Sequence, residues 1–268
     1  MKLVAIVRTP ERPEDAAQAL AAAAQLALAE ARMRLAPEPP ALLVRLDPER
    51  ADALVAALRG AGLAALAVEA DVPTDRDRLV ARTVSFGPEG LVSTSRTGEE
   101  VAVTWPDVVA VLRGARVART ETQRTERWRT FDAGRAIATG GLVLTRMAER
   151  TARSSDEAME QVVLVYARDG RAANLAEGQL DFACLGPAKQ PSATANMAEL
   201  ARRLREQAKG AFHDDRLLRL GRRPLPLVAS DGWSSRAAST VTRRTDTSAS
   251  LDVLAEVMRQ ALREGLLP

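Results

Sequence analysis

The chain has 268 residues, of which 46% are hydrophobic and 27% are charged. This length allows one large domain or two ordinary ones, and the composition is that of a globular protein with a charged surface. Aromatic residues make up only 3%, so the cores must be built from Ala, Leu and Val. The formal net charge is +3 with a pI of about 9.6, and nearly all the basic residues are arginine. Arginine suits ion pairs and anion sites, although a GC-rich coding sequence produces the same excess.

Two rare residue types restrict the chemistry. A single cysteine, Cys184, excludes an internal disulfide framework, and a single histidine, His213, excludes most zinc sites. The apolar run at 16–29 follows acidic residues and is interrupted by glutamine, which argues against a signal peptide. No other stretch approaches the roughly 20 apolar residues of a membrane span. The sequence therefore predicts a reduced, cytoplasmic protein without a transmembrane segment.

The first part of the chain predicts a compact βααβαβ unit. Three short apolar runs are typical of buried strands: 3–7, 41–46 and 63–68. Between them, apolar residues recur at helical spacing in three segments. Asp47 followed by Pro48 predicts the start of the third helix, and Gly60 and Gly62 predict its end.

These residues resemble a known domain. The run from Leu26 to Arg32, the proline cluster after it and the segment from Asp47 to Gly62 look like the C-terminal domain of ribosomal protein L7/L12, whose fold the ClpS protease adaptor shares. The resemblance covers residues 3–69 and implies a binding module. The residues with which these relatives bind their partners are missing from this sequence. The first helix is rich in alanine where the ribosomal domain carries basic residues, and Arg8–Glu11 replaces the acidic, Asn-containing turn of the adaptor.

After a polar, proline-containing stretch at 71–77, the pattern changes to strands with hairpin spacing. Predicted strands lie at 82–86, 91–95, 101–105, 108–112, 115–117, 136–138, 142–145, 162–167 and 173–176. A helix follows, and Asn196 and Glu199 predict a capping box at its start. This order of elements, with a strand–Trp–Pro–Asp–strand passage at 101–112, resembles a bacterial pleckstrin-homology-like barrel over residues 80–210.

The C-terminal part begins with Ser230–Ser250, whose Ser, Thr and Arg content predicts a linker. An amphipathic helix follows, and its apolar stripe either packs on the chain itself or enters the groove of a partner. The predicted fold class is therefore α+β, with an L7/L12-ClpS-like module at 1–73 and a mostly antiparallel, pleckstrin-homology-like β domain with a closing helix at 78–228. The linker and the C-terminal helix occupy 229–268.

No catalytic motif is recognisable. The glycine-rich phosphate-binding patterns and the G-x-S-x-G pattern are absent from the sequence, and its carboxylates show no repeated spacing. His213, Asp214 and Asp215 are adjacent, and three neighbouring loop residues favour turn chemistry over one metal site. Cys184 lies in an apolar run and is predicted to be a buried structural thiol. We expect no catalytic residue, cofactor or metal, and thus a protein that is not an enzyme.

Arginine is concentrated in the basic arm, residues 113–153, where ten arginines accompany four carboxylates. Its candidate interaction surface consists of Arg124, Arg127, Trp128, Arg129, Phe131 and Arg135, because arginine and tryptophan side chains stack on bases or headgroups. A solvated hairpin or a homo-oligomeric contact explains the same pattern. Two functions follow: a non-enzymatic adaptor or regulatory protein with an unidentified protein partner, or an anion-binding module for nucleic acid or acidic lipid.

Overall fold

The computed structural model describes residues 1–131, 145–220, 233–237 and 240–268, and at 126–131, 145–149, 233–237 and 243–245 it describes the backbone alone. The chain divides into two compact units. The first unit comprises Met1–Arg116, Met159–Ala229 and Thr247–Pro268, and the second comprises Val117–Ala158 and Ser230–Asp246. Helices and mostly antiparallel strands make the protein α+β, which confirms the predicted fold class.

The chain begins with the βααβαβ order that the sequence predicts. The elements are β1 (Lys2–Ile6), α1 (Pro13–Ala24), α2 (Leu28–Leu35), β2 (Ala41–Leu46), α3 (Pro48–Gly60) and β3 (Ala65–Glu69). β1 is the central strand, with β2 and β3 antiparallel on either side. Since successive strand residues point to opposite faces, Val4 and Ile6 pack with the helices, whereas Leu3 and Ala5 belong to a different core.

Local signals set the limits of α3. The Asp47 side chain accepts a hydrogen bond of 3.1 Å from the backbone N–H of Arg50, as an N-cap does. The helix ends at Gly60, and Gly62 adopts a φ of 84°, a left-handed conformation that favours glycine. Both predicted ends are confirmed.

The next strands along the chain begin with an antiparallel meander of three strands and continue with two long strands and a short one. They are β4 (Leu79–Phe86), β5 (Gly90–Ser95), β6 (Glu100–Thr104), β7 (Val108–Phe131), β8 (Thr145–Ala167) and β9 (Ala172–Ala176). β5 lies between β4 and β6, β4 pairs in parallel with β9, and β9 pairs antiparallel with β8. The strand predicted at 136–138 and most of that at 142–145 lie outside the described residues.

The C-terminal elements are α4 (Ala193–Gln207), β10 (Phe212–Leu217), β11 (Trp233–Ala237), β12 (Thr240–Asp246) and α5 (Ser248–Arg263). The predicted capping box of α4 is wrong. Ser192 is the N-cap and accepts a hydrogen bond of 3.2 Å from the Ala195 N–H, while Asn196 lies inside the helix. The Asn196 amide instead bonds both backbone groups of Gln190, at 2.6 and 3.0 Å, and so fixes the preceding loop.

Strands β11 and β12 occupy most of the segment that its composition marks as a linker. In the second unit, β12 pairs antiparallel with β11 on one side and with residues 118–124 of β7 on the other. Thr240, Val241 and Thr242 are β-branched, and such residues favour extended backbone. Regular structure therefore replaces the predicted linker over much of its length.

Helix α5 is a central element of the first unit. Its core combines residues of the β1–β3 sheet (Leu3, Ala5, Leu66 and Val68), of β7 and β8 (Ala110, Leu112, Val162 and Leu164) and of the helix (Leu251, Leu254, Val257 and Met258). Gly114 of β7 allows α5 to lie close to this strand, since a side chain at position 114 would collide with Leu251 of the helix. Of the two alternatives for the apolar stripe, packing within the chain is the one observed.

The division of the chain into two compact units does not test the domain boundaries predicted near residues 73 and 228, and these boundaries stay predictions. The first unit contains the βααβαβ elements, the β4–β6 meander and α5 together. No helix among the described residues is both long enough and apolar enough to cross a membrane.

Candidate functional site

The predicted arginine-rich surface lies largely on β7. Arg124 is exposed, and its backbone is paired with Thr240 of β12. Arg127, Trp128, Arg129 and Phe131 continue β7 as backbone only, and Arg135 lies outside the described residues. Two arginines of the basic arm have acidic partners: Arg119 pairs with Glu157 in the second unit, and Arg116 pairs with Asp75 in the first unit, each at 2.6 Å.

Strand pairing brings two further arginines next to β7, and a third one strand beyond them, that the sequence does not place there. Arg243 lies opposite Glu121 and Arg244 opposite Thr120 across the β7–β12 ladder, and Arg236 follows on β11. The consecutive β-branched residues at 240–242 are the sequence signal that favours this strand. The basic character of the second unit therefore extends over three neighbouring strands.

His213 and Cys184 both have structural surroundings. His213 lies in β10, with Nε2 2.9 Å from the carbonyl oxygen of Ala208, and the Asp214 carboxylate accepts two hydrogen bonds from Arg216. Within the described ranges, no three metal-ligating side chains lie together. Cys184 is half-buried, and burial raises the pKa of its thiol, which disfavours the nucleophilic thiolate.

An open cavity of about 450 Å³ lies at the end of the β4–β5–β6 meander. It is lined by residues 85–92 and 102–104. Ser85, Val92 and Ala102 are direct neighbours in the strand register, so they share one face of the sheet. Leu91 and Val103 alternate with them and are buried in the core on the opposite face. The cavity is thus a shallow, mainly apolar depression on the outward face of three strands.

Aromatic side chains hold the rim of this cavity in place. The rings of Phe86 and Trp105 stack with centroids 6.1 Å apart, and the Trp105 indole N–H donates a hydrogen bond of 3.1 Å to the carbonyl oxygen of Gly87. The Arg203 guanidinium of α4 lies 4.4 Å from the centre of the Phe86 ring, a cation–π contact. The turn at 87–90 is therefore held by Trp105, which directly follows β6, and Phe86, which precedes the turn, is held by Arg203 of α4.

Strand β6 forms an edge of the sheet. Among the described residues it pairs only with β5. Its flanking residues bond inward: the Ser95 N–H donates to the Glu99 carbonyl at 2.8 Å, and the Trp105 N–H donates to the Glu89 carbonyl at 3.0 Å. Backbone groups of an antiparallel strand alternate in direction, so those of residues 100, 102 and 104 point away from β5. The cavity-lining Ala102 thus also presents its N–H and C=O at the free edge.

A second polar feature is the buried cluster beneath α5. Arg78 and Asp252 form an ion pair with side-chain exposures of 1% and 6%. Asp75 accepts hydrogen bonds from Arg116 and Asn174, each at 2.7 Å. Burial raises the pKa of Asp252 more than the Arg78 guanidinium lowers it. The cluster joins α5 to the strands beneath it, and its geometry is that of a structural connection.

Tyr166 lies in the same region and is also buried. Burial is the main cause that raises the pKa of its phenol to about 12, and the Arg78 guanidinium opposes the shift. The hydroxyl has no hydrogen-bond partner among the described residues. A phenol with this pKa stays protonated at neutral pH and is no general base there.

Comparison of the chain with protein-family models, with curated proteins and with solved structures found no match. The resemblances to the L7/L12 and pleckstrin-homology-like folds therefore stay predictions. The best-defined candidate site is the β6 edge together with its cavity, which we name the β4–β6 surface (residues 85–92 and 99–105).

Proposed function

We propose that this protein is a non-enzymatic adaptor or regulatory protein whose β4–β6 surface binds an extended segment of a protein partner. The observation that carries the proposal is the coincidence of a free strand edge with a preformed apolar cavity. In strand addition, backbone hydrogen bonds to the edge supply affinity, and pockets for alternate side chains supply specificity. The β4–β6 surface offers both within five residues, Glu100–Thr104.

The β6 edge is protected at its start and open at the end that adjoins the cavity. Proteins usually protect edge strands by making them short, charging them or covering them. β6 is short and carries an exposed Glu100 at its start, while Ala102 and Thr104 leave the cavity end open. The tied turn at 87–90 keeps the cavity formed without a ligand, which lowers the cost of ordering it on binding. The predicted resemblance of residues 3–69 to a binding module supports the same class of function.

Filling the cavity tests this proposal. Ala102→Trp places a bulky ring in the depression from an exposed position, so we expect it to block binding without disturbing the core. Thr83→Trp is the matched control, because Thr83 is exposed on β4 and does not line the cavity. Tagged full-length forms are used to capture proteins from native lysate, and the captured proteins are quantified by mass spectrometry. We expect a partner that is retained by wild type and Thr83→Trp but reduced about tenfold with Ala102→Trp, a loss of about 1.4 kcal/mol. Capture of the same proteins in the same amounts by all three forms would exclude the β4–β6 surface.

A second candidate function, anion binding, rests on the arginines that β11 and β12 add beside β7. For a single-stranded oligonucleotide or phosphatidylserine vesicles, we expect an affinity that falls steeply with salt, as counterion release requires. Reversing Arg127 and Arg129 to Glu should weaken binding, whereas reversing the exposed Arg8 and Arg12 of the first unit should not. Fluorescence anisotropy and vesicle sedimentation over a salt series measure both effects. Equal affinities for the two double variants and wild type would rule out the arm.

A further inference from the structure

The β4–β6 surface has the opposite charge to the chain as a whole. From residue 85 to 104 the sequence holds three carboxylates, Glu89, Glu99 and Glu100, and a single basic residue, Arg96. All three glutamates are exposed. Glu89 lines the cavity within the turn, and Glu100 lies at the opposite end of β6. A bound segment would therefore have a carboxylate near each end.

The cavity between these carboxylates suits one bulky apolar side chain. Its volume of about 450 Å³ has room for a leucine side chain or an aromatic ring, and it is open to solvent. Val92, Ala102 and Pro88 supply apolar surface, and Gly87 and Gly90 add no side chains that would obstruct it. Polar groups that would select a hydrogen-bonding side chain are few: Ser85 and Thr104 are the hydroxyls of the lining.

We propose that the partner segment is extended and basic, with the pattern basic–x–bulky apolar–x–basic, and this inference rests on the proposed function. A residue paired opposite Ala102 shares the face of Ala102, so its side chain lies next to Ala102 at the open side of the cavity, within reach of it for a long side chain. Residues two positions to either side share that face, and they lie toward Glu100 in one direction and toward Glu89 in the other. Lysine or arginine at those two positions completes the charge complementarity.

The pairing also determines which amide groups of the segment matter. If the segment runs antiparallel to β6, the residue opposite Ala102 exchanges hydrogen bonds with the outward-pointing N–H and C=O of Ala102. The amide of the next residue points away from β6. Methylation of the first amide nitrogen therefore removes a hydrogen bond and adds a clash, and methylation of the second does neither.

Synthetic peptides test the inference directly. The probe is a fluorescein-labelled nine-residue peptide with a central phenylalanine, a lysine two residues to each side and threonine elsewhere. Matched peptides carry glutamate in place of lysine, alanine in place of phenylalanine, or one N-methyl group on the phenylalanine amide or on the next amide. Binding to the full-length protein is measured by anisotropy. We expect the lysine peptide to bind about tenfold more tightly than the glutamate and alanine peptides, and only methylation of the phenylalanine amide to abolish binding.

Protein variants provide the reciprocal test. Glu89→Lys combined with Glu100→Lys should reverse the preference between lysine and glutamate peptides, because both carboxylates are exposed and lie outside the core. Ala102→Trp should abolish binding, and Thr83→Trp should leave it unchanged. Equal affinity for lysine and glutamate peptides overturns the inference, as does indifference to the phenylalanine N-methyl group. If lysate partners still depend on Ala102, the adaptor proposal survives that result; if they do not, both proposals fall.

Discussion

Asp252→Ala is expected to lower the free energy of unfolding by about 3–5 kcal/mol, the usual cost of breaking a buried ion pair by removing one partner. The Arg78 side chain is 1% exposed, so the substitution leaves a guanidinium without its carboxylate and without access to water. Two of its nitrogens, Nε and Nη2, already have no partner in the described part of the chain. The loss of the Nη1 contact to Asp252 therefore leaves the charge uncompensated, which costs far more than the pair itself contributes.

Urea unfolding followed by circular dichroism measures this loss against two controls. Glu14→Ala breaks an ion pair with Arg32 in which both side chains are more than half exposed, and we expect a much smaller loss than for Asp252→Ala because water screens the pair. The double variant Arg78→Met/Asp252→Leu replaces both charges by apolar groups and should recover most of the stability. Equal costs for Asp252→Ala and Glu14→Ala would show that the pair beneath α5 is not effectively buried.

The raised pKa of Asp252 explains why the double variant is expected to recover. Desolvation opposes the charged carboxylate more strongly than Arg78 favours it, so the ion pair contributes little net stability. What the pair does determine is position, because Asp252 and Arg78 meet at only one placement of α5 on the strands. We therefore interpret the cluster as a device that fixes the register of the helix.

Short-range signals account for the parts of the fold that the sequence predicts well. The Asp47 cap and the left-handed Gly62 act within one helix turn, so the limits of α3 follow from neighbouring residues. The apolar stripe of α5 is equally local. The burial of its polar side is not local, because Asp252 suggests a face in water until Arg78, which is distant in the sequence, is placed beside it.

The candidate site depends on pairing between distant residues, which periodicity does not provide. The turn at Gly87–Gly90 is predictable, but Ser85 and Ala102 become neighbours only through the β4–β5–β6 register. The free edge of β6 follows from the order of strands in the whole sheet. The sequence draws attention to the arginines of the basic arm because a cluster of charges can be counted along the chain. A cavity cannot be recognised until the strands that line it are paired.

Leu254→Ala is expected to cost about 2–5 kcal/mol, the range for removing a fully buried leucine side chain. Leu254 is 0% exposed and belongs to the core that α5 shares with the β1–β3 sheet and with β7 and β8. Because the cavity it leaves adjoins both sets of strands, we expect them to lose stability together. Leu20→Ala is the matched control: Leu20 is also 0% exposed but lies in the core between the β1–β3 sheet and its helices.

Two probes distinguish a shared core from separate ones. Far-UV circular dichroism reports on all the helices and strands, and a version of the protein with Trp105 as its single tryptophan reports on the β4–β6 surface by fluorescence. A shared core predicts coincident transitions for wild type, for Leu254→Ala and for Leu20→Ala, as a cooperative unit shows. A Trp105 transition that Leu20→Ala leaves unmoved, while the circular dichroism transition shifts, would show that the β1–β3 sheet folds on its own. That result would support the domain boundary predicted near residue 73. It would also show that α5 packs on the β1–β3 sheet without coupling its stability to that of the β4–β6 surface.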